Sequence, residues 1–259
     1  MNINHRQPKK IILLGDSITQ GLGSKKINFT QHLQELLGDQ YTVENMALTG
    51  TTICYTATIF DQIIHSDPDY IVVLYGNVDA QIRPCRTGKL FAHIPSRFQG
   101  NGMLSPRPFY SHKVAVRAMQ KIENFIRFCL NRTIRKIDGT EQLVSISDFK
   151  QTYDEFIQRC NCNDIKLLLS STVFIDDRKF PGSLAQYREF NAVIKHLSDD
   201  NGLMYIDIFT ALKVAVETNG WSGIYCYDHF HPAEKGYFIL SEKISEGIKA
   251  CEMEMHTSK

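Results

Sequence analysis

A serine at the end of a short apolar run can serve as a nucleophile, and Ser17 is so placed: Ile11 to Leu14 lead into Gly15-Asp16-Ser17-Ile18-Thr19, and a helix-like segment follows. A buried strand delivers its last residue to the carboxyl edge of a sheet. Gly15 lets the backbone turn tightly, and a following helix would aim unpaired N–H groups at an incoming anion. Ser17 with Gln20 three residues on also fits a capping box, so the pentapeptide alone leaves nucleophile and helix cap as alternatives. The complement lies far downstream in Tyr227-Asp228-His229-Phe230-His231-Pro232, just ahead of the apolar-periodic stretch Gly236 to Ile248. An Asp three residues before a His can orient the imidazole and stabilise its charged form when it takes a proton from Ser17. A surface loop whose His caps or packs locally is the alternative for this half taken alone, and the two halves together fit a serine nucleophile with its base.

The elements that must position these groups alternate between strand and helix. Lys10 to Leu14, Tyr41 to Asn45, Tyr70 to Tyr75, Lys166 to Ser170 and Met204 to Ile208 read as five strands, the buried ones as continuous apolar runs. Between them Phe29 to Leu37, the face marked by Ile59, Ile63 and Ile64, Phe149 to Arg159, Gln186 to Leu197 and Ala233 to Ala250 have helical spacing. Such βαβ alternation predicts a three-layer α/β/α fold around a five-stranded parallel sheet. With 259 residues, 43% hydrophobic and 22% charged, the chain is expected to fold as one domain over 1–259.

No stretch reaches the roughly 18 to 20 apolar residues of a membrane span, and the start, MNINHRQPKK, carries no apolar signal core. Seven scattered cysteines suit reduced thiols, with Cys160 and Cys162 as part-buried thiols near a helix end, so a cytoplasmic location is expected. A net charge of +1 and the lack of a recognisable motif argue against nucleic acid.

The chain resembles the SGNH hydrolases, also called the GDSL esterase and lipase superfamily, in four ordered blocks: Gly15 to Thr19, Asn45-Met46-Ala47-Leu48-Thr49-Gly50, Gly76-Asn77-Val78-Asp79, and Asp228 to His231. The resemblance implies the flavodoxin-like strand order 2-1-3-4-5, with Ser17 as nucleophile, His231 as base and Asp228 holding it. It further implies an oxyanion hole from the N–H groups of Ser17 and Gly50 and an Asn side chain of the third block. The usual third block reads Gly-x-Asn-Asp, and here Val78 takes the place of the amide. Asn77 sits one place early. On extended backbone a slip of one residue reverses the side chain, so Asn77 donates only if the loop after Tyr75 is rearranged. The resemblance also points to a branch with Gly-x-Val-Asp, associated with surface-polysaccharide gene clusters. No metal or cofactor is required by this chemistry.

Ala80 to Lys136 interrupts the alternation and holds twelve Lys or Arg against one acid, Glu123, a formal +11; the remaining residues sum to −10. Such a field can hold an anionic substrate near the serine. Arg83 and Arg86, close to the third block, are the candidates for substrate contact, with pairing to acidic residues elsewhere as the alternative. Tyr225, with Trp221, is a candidate to line an acyl or sugar site or to pack the His loop. His93 to Phe109 reads as an irregular lid or pocket wall and Tyr110 to Leu130 as a helix. Val114, Ala118, Ile122, Phe125 and Cys129 form its apolar face, and Lys113, Arg117 and Lys121 a basic stripe. Asp176-Asp177 reads as a solvated turn, and His229 as solvent-facing or flanking the pocket. Asp16 and Asp79 are expected to fix their loops by hydrogen bonds. The expected function is removal of an O-acyl, most simply acetyl, group from a saccharide. Acyl transfer to a sugar, lysophospholipid or thioester hydrolysis, and saccharide binding with weakened catalysis stand as alternatives.

Overall fold

The computed structural model describes residues 7–24, 29–99 and 104–257. In chain order the elements are β1 (Lys9–Gly15), α1 (Phe29–Leu37), β2 (Tyr41–Asn45), α2 (Tyr55–His65), β3 (Tyr70–Leu74), β4 (Arg83–Pro84), α3 (Val114–Ile137), β5 (Thr140–Glu141), α4 (Ile146–Asn161), β6 (Lys166–Ser170), α5 (Ser183–Asp200), β7 (Met204–Ile206), α6 (Ile208–Asn219), α7 (Trp221–Ile224) and α8 (Glu234–Thr257). Two single-turn 3-10 helices, Phe91–His93 and Ser96–Phe98, lie between β4 and α3.

Five strands form one parallel sheet in the order β2-β1-β3-β6-β7. This is the predicted flavodoxin-like order. Its central strands are sealed on both faces: Ile11 to Leu14 and Tyr70 to Val73 have no solvent exposure, as continuous β-branched and Leu runs require under two helical layers. On one face α1 packs on α8, with the Phe29 and Tyr237 rings 5.5 Å apart. On the other, Phe149 of α4 meets Phe190 of α5 at 4.5 Å and Phe156 meets Phe60 of α2 at 6.0 Å.

Strand β7 stops at Ile206, two residues before the predicted end, because the Asp207 side chain accepts from Thr210 N–H and caps α6. Helices α6 and α7 were not anticipated. All seven cysteines are free thiols, Cys160 buried and Cys162 exposed. Among the described residues no helix is long and apolar enough to cross a membrane.

The basic segment is pinned at its base by β4, which pairs antiparallel with β5. Its own small core gathers Phe91, Ile94, Phe98, Leu104 and Ile134. Helix α3 begins four residues later than predicted and ends seven residues later. Its end is fastened where Arg135 donates to the carbonyls of Pro181 (3.0 Å) and Ile82 (2.7 Å). The predicted apolar face is present but turned outward: Val114, Ile122 and Phe125 are 73, 63 and 66% exposed. The inward face carries Gln120, Glu123, Asn124 and Arg127, all engaged in hydrogen bonds.

Candidate active site

Strands β1 and β3 end side by side, Gly15 opposite Leu74, which brings Ser17 and the Gly76 to Asp79 loop to one edge of the sheet. A Cβ on Gly15 would lie 2.0 Å from Thr19 Oγ1 and 3.2 Å from the Leu74 carbonyl oxygen, so glycine is dictated by close approach. After Ser17 the chain runs through turns, with Gln20 N–H donating to Asp16 O (3.0 Å) and Leu22 N–H to Ser17 O (2.9 Å). The predicted helix behind the serine is therefore absent among the described residues, and neither a helix dipole nor a capping box acts there. Gln20 instead accepts from the Thr49 hydroxyl. Asn45 ties the nucleophile turn to the second block, donating to Thr19 O (2.8 Å) and accepting from Ala47 N–H (3.0 Å). Tyr237 of α8 donates to Ile18 O (3.0 Å).

The His loop arrives from the far end of the chain. It is closed by a bridge between Tyr225 and Pro232. Ser17 Oγ lies 2.9 Å from His231 Nε2, and His231 Nδ1 lies 2.6 Å from Asp228 Oδ2. Asp228 is buried, and its other oxygen accepts the N–H groups of Phe230 and His231, each at 3.1 Å. These bonds fix the carboxylate so that Nδ1 carries the proton and Nε2 presents a lone pair to Ser17.

The three residues open onto a pocket of about 400 Å³. Leu22, Val78, Phe180 and Phe230 give it apolar walls; Thr49, Gly50, Gln81, Ser105 and three arginines give it polar ones. Gly50 has φ 79°, a left-handed conformation natural to glycine. The N–H groups of Ser17 and Gly50 make no hydrogen bond among the described residues.

Asn77 is not where the oxyanion expectation needs it. It is buried and points away from the pocket: Oδ1 accepts Val173 N–H at 2.8 Å, Nδ2 leans toward Leu74 O at 3.4 Å, and Val78 takes the lining position. Residues 76–79 form a turn, closed where Ala80 N–H donates to Gly76 O (3.0 Å), and in that turn Asn77 lies off the pocket wall. Asp79 joins the second and third blocks, accepting Ile53 N–H (2.9 Å) and Gly76 N–H (3.0 Å). Burial pushes its carboxyl up to about 7 against those donors. Asp16 accepts Ile18 N–H at 2.8 Å, and burial pushes it up to about 6.

Of the predicted substrate contacts, Arg83 lines the pocket. Arg86 does not: it is paired with Glu141, which accepts from both its guanidinium and its N–H. Tyr225 is buried against Trp221, their rings 5.3 Å apart, and supports the His loop from below. Asp176 is likewise no solvated turn. Buried, it binds Arg178 (2.9 Å) and His229 Nδ1 (2.6 Å). Arg107, Arg127 and Gln81 were missed. The available signal was Glu123, the one acid of a basic segment, spaced i,i+4 before Arg127.

An open parallel α/β sheet with a hydrogen-bonded Ser, His and Asp at its carboxyl edge is the architecture of a serine ester hydrolase. The chain belongs to the GDSL-like lipase/acylhydrolase family, whose model matches residues 13–239. No curated protein matches it in sequence. Among solved structures it is similar to the acetylxylan esterase Axe2 of Geobacillus stearothermophilus, with a TM-score of 0.60 at 12% identity, covering 93% of this chain and 94% of that one. A lipase/acylhydrolase from Enterococcus faecalis superposes with a TM-score of 0.61 at 16% identity, over 93% and 96% of the two chains. LAE5, an alpha/beta hydrolase enzyme from the metagenome of Lake Arreo, gives 0.60 at 15%, over 92% and 94%.

Proposed function

We propose that this chain acts as one catalytic unit that removes O-acyl groups, acetyl foremost, from a carbohydrate. The observation that carries the reading is the continuous line from Asp228 through His231 to Ser17 at the floor of the pocket. Ser17 Oγ attacks the acyl carbonyl while His231 Nε2 takes its proton, and Asp228 stabilises the imidazolium. The tetrahedral oxyanion is met by the N–H groups of Ser17 and Gly50. Collapse breaks the ester bond, and His231 returns the proton to the departing alcohol. Water, deprotonated by the same imidazole, then attacks the acyl-enzyme; carboxylic acid leaves and Ser17 regains its proton from His231.

The acetylxylan esterase likeness and the pocket's mixed walls, apolar beside Val78 and donor-rich beside Gln81, favour a short acyl group on a polar alcohol over a lipid. The test is p-nitrophenol release from acetyl and longer acyl esters. Ser17→Ala is expected to lower turnover by at least about 1000-fold while the melting temperature stays within a few degrees. Equal rates in the two proteins would refute the mechanism, and a maximum at long chains would redirect the substrate to lipids.

A further inference from the structure

The wall opposite the nucleophile is built from arginines that have too few partners. The Arg83 side chain makes no hydrogen bond or ion pair among the described residues, and its Nε is fully buried and unpaired. Arg107 and Arg127 share one carboxylate, Glu123, at 2.6 and 2.8 Å, and the Nε of each is also buried without a partner. All three line the pocket that holds Ser17 and His231. Its one acidic lining residue, Asp228, is engaged with His231. Among the described residues Glu123 is thus the one carboxylate hydrogen-bonded to any of these three guanidiniums.

A desolvated cation without a partner is costly, and a ligand that supplies the missing charge offsets that cost. Gln81, which makes no hydrogen bond among the described residues, and Ser105 add neutral polar groups to the same wall. Acceptors are what this surface lacks. Asp16 and Asp79 attract Arg83 from beneath the floor, and burial raises the carboxyl of each.

Resting on the ester hydrolase reading, we infer that the pocket is selective for an acylated saccharide carrying an oxyanion, a carboxylate or a phosphate, bound by Arg83 with Arg107 and Arg127. Guanidinium pairs with either group through forked, charge-assisted hydrogen bonds, and the preformed wall needs no rearrangement to make them.

The experiment measures acetate release from three methyl glycosides acetylated at the same position: a galacturonoside, a galactoside and a galactoside 6-phosphate. The wild-type kcat/KM is expected to favour at least one anionic ester over the neutral one by about tenfold or more, and Arg83→Gln to shrink that ratio by at least about fivefold. The ratio is read within each protein, so partial misfolding cancels. Lys121→Gln, on the exposed side of α3, is expected to keep it. Preference for the galacturonoside alone assigns a carboxylate, and for the phosphate ester alone a phosphorylated sugar. Ratios within about twofold of one in the wild type, or a wild-type ratio untouched by Arg83→Gln, would overturn the inference.

If neither wild type nor Ser17→Ala releases acetate or p-nitrophenol, the hydrolase reading fails by itself. The subsite is then judged by calorimetric binding of the unacetylated methyl glycosides to Ser17→Ala. A dissociation constant at least about tenfold lower for an anion than for the galactoside supports it, and equal constants refute it.

Discussion

Two histidines two residues apart on one loop each meet an Asp at the same separation, 2.6 Å from Nδ1 to Oδ2, and the two pairs are built for different ends. In one, Asp228 is held by backbone N–H groups and the imidazole offers Nε2 to Ser17. In the other, Asp176 is held by Arg178, and the His229 ring lies 5.0 Å from Trp221 at 6°, itself stacked on Phe174. Burial lowers the His229 pKa against the pull of Asp176. Asp176 sits at about 2 because Arg178 and His229 outweigh its burial. His229 also adopts a left-handed φ of 55°, uncommon for a non-glycine residue. An Asp beside a His therefore does not make a base; what the far nitrogen meets does. The second pair anchors the loop on which the first depends, aided by Lys179 donating to Tyr227 O.

Breaking each pair in turn should expose the difference. Asp228→Asn, which leaves the shape but favours the wrong tautomer, is expected to lower kcat by roughly 1000- to 10,000-fold at near-wild-type stability. Asp176→Asn is expected to lower kcat by less than about tenfold while costing about 1 to 3 kcal/mol of stability, read from denaturant unfolding. An equal kinetic loss in the two variants would place the second pair in the proton path. Asn77→Ala sharpens the point, because it strands the buried Val173 N–H: a loss of about 1 to 3 kcal/mol in stability is expected, with kcat changed by less than about threefold. A 100-fold fall in kcat at unchanged stability would return Asn77 to the oxyanion.

The smallest effect is a pH slope. Asp16 and Asp79 have folded pKa values raised to about 6 and about 7 from 3.8, so the folded state holds their protons longer. Their stabilisation is complete below pH 4 and is lost as pH rises through 6 to 7. Asp176, depressed to about 2, acts in the opposite sense: its contribution is present above pH 4 and lost as pH falls toward 2. Unfolding free energy measured from pH 4 to 7 should therefore decline less steeply in Asp79→Asn than in the wild type. An unchanged slope would mean the two carboxyls are not titrating in that range.

The core strands were legible to within a residue or two because parallel strands covered on both faces read as unbroken apolar runs. Ser17, His231 and Asp228 were singled out together by residue type and spacing, and the structure joins them by hydrogen bonds. Helix α6 was hidden although Ile208, Leu212 and Val216 keep perfect helical spacing, since Ile208 joined the apolar run of β7. For α3 the stripe was read correctly and its direction was not. Periodicity tells which residues share a face; which face turns inward was decided by Arg127 and Glu123, whose polar contacts no hydrophobic pattern reports. The same limit applies to Asn77 and Arg86, whose direction and partner depend on long-range geometry.

Ser17 and His231 lie 214 residues apart, and β1, which delivers the serine, is completed only by partners that follow it. Ribosomes extend a chain by about 5 to 20 residues per second, so roughly 10 to 40 seconds separate the synthesis of Ser17 from that of His231. During that interval the nascent chain exposes an unactivated hydroxyl. On the proposed mechanism Ser17 gains its base only once the loop carrying His231 has been made and has docked beside it.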